Sequence, residues 1–162
     1  MFFPFMRNED FIKQRLLNEC QGLLDAQFYF PVFFLISQGI ETLGAFLDKK
    51  PLAAKAQSKK RFHLAIHQLF DHQYQELTHN DWLYKQLRCY ASHLSTSGAF
   101  ISLTSQKETK GHHLQLLNGK RLFIIEDLAL DFKKACMKVI DMLEHEELKQ
   151  KPMALTEIKG SN

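Results

Sequence analysis

The sequence predicts a mainly α-helical fold, a bundle of four or five helices with a small β-hairpin inserted before the last helix. Over most of the chain, apolar residues recur at three- and four-residue intervals, the period of a helix with one buried face. Between about residues 100 and 125 that period gives way to short apolar runs around Asn118-Gly119, a strong hairpin signal. The helical period then returns until about residue 146.

Asn8 is placed to cap a first helix, in which Phe11, Ile12, Leu16, Leu17, Cys20, Leu23 and Leu24 form the apolar stripe. Pro31 suits the first turn of a second helix reaching about Leu47. That helix is apolar on most sides, which predicts the central position. Pro31, Gln38, Gly39, Glu41 and Gly44 interrupt the stretch from Phe28 to Leu47, and a carboxylate mid-span costs about 2–3 kcal/mol or more in lipid. A buried core helix is therefore expected, and no membrane. Residues 49–61 read as a basic linker without an acidic residue.

Ser58 is placed to cap a third helix with Phe62, Ala65, Ile66, Leu69 and Phe70. A fourth runs from about Asn80 to His93, with Trp82, Leu83, Leu87, Tyr90 and Ala91 as its apolar positions. Ser95-Thr96-Ser97-Gly98 stops it. Phe100–Thr104, His113–Leu117 and Arg121–Ile125 read as strands. The last helix starts near Glu126 or Asp127, whose charges suit the helix dipole, and buries Leu128, Phe132, Ala135, Cys136, Val139, Ile140 and Leu143. A single domain over residues 1–150 is expected, with the hairpin at about 100–125 and a flexible tail over 151–162.

The chain has 162 residues, long enough for one domain with its own core. Apolar residues make up 45% and charged residues 24%, which excludes a disordered chain. The net charge of +3 neither demands nor excludes a nucleic-acid partner. Three widely spaced cysteines, Cys20, Cys89 and Cys136, are an odd number and form no CxxC pair. Reduced thiols in a cytoplasmic protein are expected, and the short apolar start at Met1–Met6 lacks the basic region of a leader peptide.

Phosphate-loop, dinucleotide-turn and nucleophile-elbow glycine motifs are all missing, as is H-E-x-x-H. Hydride transfer, classical ATP hydrolysis and α/β-hydrolase chemistry are therefore not expected. His63, His67 and Asp71 stand at four-residue spacing and would share a helix face, a set that could ligate zinc or iron. They also flank the apolar stripe, where polar boundary residues are ordinary. The expectation is no metal and no cofactor.

The sharper candidate is Arg88-Cys89-Tyr90-Ala91-Ser92-His93. Arginine grips phosphate with a permanently charged fork, and histidine moves a proton near neutrality. Together they can cleave RNA: the imidazole takes the ribose 2′-hydroxyl proton while the guanidinium stabilises charge on the phosphate. On an ideal α-helix the two side chains point about 140° apart with a rise of about 7.5 Å. The pair therefore needs either a backbone turn before His93 or two copies meeting at a two-fold interface. The plain alternative is that Arg88 pairs with an acidic neighbour and His93 merely ends the helix.

The segment Leu87–His93, on a late helix of a small bundle, resembles the HEPN superfamily, whose signature is R-x4-6-H. Gly39–Gly44, Glu126-Asp127-Leu128 and Asp131–Cys136 are similar to a bacterial group of HEPN-like proteins. The resemblance implies a four-helix core, a homodimer and, in many members, metal-independent endoribonuclease activity from a composite site. Arg88 and His93 would be the catalytic pair. Other members act as non-catalytic binding or dimerisation modules. The chain departs from the pattern at Cys89, where active members often carry Asn or Asp, and a thiol is a poor hydrogen-bond substitute.

Glu41, an acid on an apolar helix, is either an auxiliary polar group or the partner of Arg88. Lys49, Lys50, Lys55, Lys59, Lys60 and Arg61 are placed to steer an RNA backbone or to solvate a loop, with Lys59, Lys60 and Arg61 the favoured contacts. The functional expectation is RNA binding with metal-independent cleavage. The alternative is a non-catalytic dimeric protein-interaction module, one half of a regulatory or toxin–antitoxin-like pair.

Overall fold

The most apolar helix lies at the centre of the fold in the computed structural model, which describes residues 6–90 and 98–153. This is α2, Tyr29–Leu47, with Pro31 in its first turn. Val32, Phe33, Ile36, Ile40 and Leu43 have no exposed surface. By length and composition α2 could cross a membrane, yet 56% of its most apolar window is buried inside the fold. Packing against α1, α3 and α6 accounts for its apolarity.

Helix α1 is continuous but changes winding. It begins as Asn8–Phe11, is π-wound over Ile12–Asn18 and ends as Glu19–Asp25. Ile12, Leu16 and Cys20 are buried along it. Asn8 does not cap it. Its side-chain Nδ2 donates to the Lys151 carbonyl at 2.8 Å, and the Lys151 N–H donates to its Oδ1 at 2.6 Å. The residue expected as a cap is thus a buried clasp for the C-terminal segment.

Helix α3 is Ser58–Leu69, with Phe62, Ala65, Ile66 and Leu69 buried. It crosses α2 at Gly44, where a Cβ would collide with the Arg61 backbone. A short α4, His72–Glu76, was not foreseen and buries Tyr74. Helix α5, residues 82–90 among those described, follows a 3-10 turn at His79–Asp81, where Asn80 has φ 52° and Asp81 φ 59°. It is π-wound over Tyr84–Cys89.

The β insert is a three-stranded sheet, larger than the expected hairpin. Strand β1, Ile101–Thr104, pairs in parallel with β3, Lys120–Ile124, from Ile101 opposite Arg121 to Thr104 opposite Ile124. Strand β2, Leu116–Leu117, pairs antiparallel on the other side of β3. Asn118 and Gly119 take φ 49° and 75°, the left-handed pair of a tight hairpin turn. β2 is shorter than expected because Leu114 also has positive φ, 66°, and turns the chain. Helix α6, Ile125–Glu144, follows β3 directly and buries the expected stripe. Phe132 fills the space at Gly39 of α2.

Residues Lys151–Met153 differ from the expected flexible tail. The Lys151 Nζ donates to Asp48 O at 2.6 Å, Lys50 O at 2.7 Å and Asp48 Oδ1 at 2.9 Å. It also donates to Ala45 O, so an ammonium closes the carbonyl end of α2.

Candidate functional site

Glu41 sits on the central helix α2 and Arg88 on the π-wound part of α5. The Arg88 Nε donates to Glu41 Oε2 at 2.5 Å. The Ser58 hydroxyl, at the start of α3, donates to the same oxygen at 2.8 Å and lies 3.0 Å from the Tyr84 hydroxyl. Three helices thus fix one carboxylate, and the carboxylate fixes the guanidinium. Both charged side chains are partly buried, so neither is left without an opposite charge away from water. Tyr84 packs edge-on against Phe62 with ring centroids 5.4 Å apart, which ties the cluster to the core.

Of the two roles open to Glu41, the structure places it as the ion-pair partner of Arg88. His93 lies outside the described residues. Ser58, expected as a cap, spends its hydroxyl on this cluster, and the N-cap position falls on Gln57.

The basic run separates into different fates. Lys60 is exposed, and Lys59 reaches Asp81 Oδ2 at 3.0 Å from an exposed position. Arg61 corrects the expectation of an RNA contact, being only 5% exposed. Its Nε donates to Asp48 Oδ2 at 2.7 Å, Nη1 to Leu52 O at 2.9 Å and Nη2 to Pro51 O at 2.8 Å. The loop that looked like a basic linker is wrapped around this guanidinium. Burial works against the Asp48 charge, but hydrogen bonds from Arg61 and Lys151 outweigh it and hold the carboxyl below its ordinary value.

His63, His67 and Asp71 do not converge. His63 turns to Asp81 Oδ1 at 3.1 Å, and His67 lies 3.4 Å from the Thr78 hydroxyl. Among the described residues no group of three or more His, Cys, Asp or Glu side chains could hold a metal ion. The three cysteines are free thiols. Burial pushes Cys20 up to about 11 and Cys136 higher still, so neither is a ready nucleophile.

A second polar cluster was not foreseen. The Ile124 N–H donates to His113 Nδ1 at 3.0 Å, which leaves the ring proton on Nε2. Nε2 lies 2.8 Å from the Tyr74 hydroxyl, which donates to Asp131 Oδ2 at 2.6 Å. Desolvation lowers the His113 pKa despite the neighbouring Asp131 and Asp127. Burial, followed by Asp131, pushes the Tyr74 hydroxyl far above its ordinary value. The chain ties the β insert to α4 and α6. Its members are separated by 39 and 57 residues, so no local spacing signals it.

Comparison with family models, with curated proteins and with solved structures gives no match to this chain. The functional reading therefore rests on the residues and their geometry.

Proposed function

We propose that the protein is an RNA-binding, metal-independent endoribonuclease of HEPN-like type, acting as a homodimer in the cytoplasm, with Arg88 and His93 as the catalytic pair. The observation that carries the reading is the anchored guanidinium of Arg88 on a π-wound helix. Windings closed by i→i+5 hydrogen bonds bring residues five apart onto one face. Arg88 and His93 are five apart. The winding spans Tyr84–Cys89, so Arg88 leaves a helix that departs from the ideal α geometry in which the two side chains would point about 140° apart.

In this scheme the His93 imidazole takes the proton of the ribose 2′-hydroxyl. The freed oxygen attacks the adjacent phosphorus, the bond to the 5′ oxygen breaks, that oxygen leaves as a 5′-hydroxyl by taking a proton from water, and a 2′,3′-cyclic phosphate remains. Arg88 stabilises the charge that develops on the phosphate oxygens. Glu41 holds Arg88 by its Nε edge and so sets the direction of the fork. Lys60 follows Ser58, which touches Glu41, by two residues and offers an exposed side chain to the RNA backbone, while the Lys59 ammonium pairs with Asp81.

The test is cleavage of a mixed RNA pool in EDTA by the wild type and by His93→Ala. Loss of a general base costs about 10²–10⁴-fold in rate. Cleavage by the wild type with a loss of that size supports the assignment. Equal cleavage by both proteins, or none by either, rejects it. A non-catalytic interaction module is the second reading, favoured by the exposed Leu130 and Met137 on α6.

A further inference from the structure

Trp82, Lys85, Gln86, Cys89 and Tyr90 of α5 line a recess. It is a pocket of about 700 Å³ between α5, the end of α4 and the β insert, within the range of small-molecule sites. Trp82 and Tyr90 line it from α5 and Phe100 from the approach to β1. Phe100 is 56% exposed, so its ring is open to solvent beside the pocket. Gln86 sets its position: the Phe100 N–H donates to Gln86 Oε1 and the Gly98 N–H to Gln86 O, both at 3.3 Å. Gly98 has no room for a Cβ against Gln86, so this approach is built into the sequence.

Two basic side chains join the aromatic walls. Lys85 is exposed, its ammonium fixed by the Asn80 carbonyl at 3.1 Å. Arg121 is held through Nη1 by the Leu114 carbonyl at 2.9 Å. Its Nε is buried with no hydrogen-bond partner among the described residues. An unpaired buried donor costs free energy that an incoming acceptor restores. The carboxylate on the wall, Glu76, lies 3.3 Å from His72.

Aromatic faces stack on the planar rings of bases, and fixed cations meet phosphate oxygens. From this juxtaposition we propose that the pocket between α5 and the β insert binds a nucleotide, with the base on the Trp82, Tyr90 and Phe100 surface and the phosphate toward Lys85 and Arg121. Arg88 is not among the residues that line the site, and the proposal is independent of the cleavage reading. A free mononucleotide and one residue of an RNA strand present the same chemistry.

Trp82 is the single tryptophan of the chain, so its emission reports on this pocket alone. The purified protein is titrated in EDTA with AMP, UMP, ribose 5-phosphate and a short single-stranded RNA. Saturable quenching by the nucleotides or the RNA, and none by ribose 5-phosphate, is expected. Phe100→Ala and Lys85→Ala alter exposed side chains, keep the fold, and should each weaken binding about tenfold. RNA binding far tighter than AMP binding assigns the site to a strand; comparable binding assigns it to a free nucleotide. Unchanged Trp82 emission with every ligand overturns the proposal, as do unchanged affinities in both variants or equal quenching by ribose 5-phosphate. RNA cleavage without any Trp82 response leaves the catalytic reading standing and removes this one. Quenching without cleavage does the reverse.

Discussion

Replacing Tyr74 by Phe removes one oxygen from the centre of the Tyr74–His113–Asp131 chain and leaves the ring in place. The ring is 2% exposed and packs edge-on against Phe70 at a centroid distance of 5.1 Å, so no cavity opens. What is lost is the donor to Asp131 at 2.6 Å and the acceptor for His113 Nε2 at 2.8 Å. A typical net hydrogen bond contributes about 0.5–1.5 kcal/mol, and a buried donor left unpaired costs about 1–3 kcal/mol. Asp131 keeps 21% of its side chain exposed, so water can replace its lost partner, whereas His113 keeps 12% and packs edge-on against Phe123. The variant should therefore lose about 2–3 kcal/mol, most of it at His113. For a chain of this length that is a fall in Tm of about 5–10 °C. Urea unfolding followed by far-ultraviolet circular dichroism measures it. A loss below about 0.5 kcal/mol would refute the reasoning, because it would mean that the three groups are not coupled through the hydroxyl.

The same network gives stability a pH dependence. Protonated His113 would turn a second N–H toward the Ile124 N–H, and its folded-state pKa is lowered, so the unfolded chain binds the proton more readily. The His113 contribution is complete above the ordinary histidine value near 6.5 and falls as pH drops below it toward the lowered folded value. Unfolding free energies from pH 8 to 5 should show this decline, and His113→Gln should flatten it. Gly44→Ala should destabilise by about 1–3 kcal/mol, since the new methyl meets the Arg61 backbone. Gly22→Ala should stabilise by about 0.5–1 kcal/mol, because its Cβ meets nothing within 4 Å on an exposed helix face; urea midpoints of the two variants should move in opposite directions. Lys151→Met should cost about 2–4 kcal/mol by unlatching the end of α2, read by the same titration.

The legible parts of this fold are those governed by local spacing. The apolar stripes of α2, α3 and α6 repeat with the helical period, and Asn118-Gly119 can adopt the backbone its turn requires. Parallel pairing of β1 with β3 is nonlocal, and no short-range pattern marks it. Arg61 and Lys60 are adjacent basic residues in the sequence, but one is enclosed by a loop and the other faces water. Only the path of residues 48–52 separates them. Lys151 looked like tail because its oxygen partners belong to the end of a helix a hundred residues earlier. The Glu41–Arg88 pair was half legible: a lone acid on an apolar helix needs a partner, and a cation on another helix was available. The π winding of α5 over Tyr84–Cys89 left no mark in the apolar period.

The central claim is that Arg88 and His93 act together on the ribose 2′-hydroxyl and its neighbouring phosphate. The most direct measurement uses DNA oligonucleotides that each contain one ribonucleotide, incubated in EDTA with the wild type, Arg88→Ala and His93→Ala. Circular dichroism first establishes that both variants are folded. The account predicts cleavage only at the phosphate following the ribose, leaving a 2′,3′-cyclic end, with both variants slower by about 10²-fold or more. Cleavage at deoxy positions, equal rates in the variants, or an intact substrate with the wild type would contradict it.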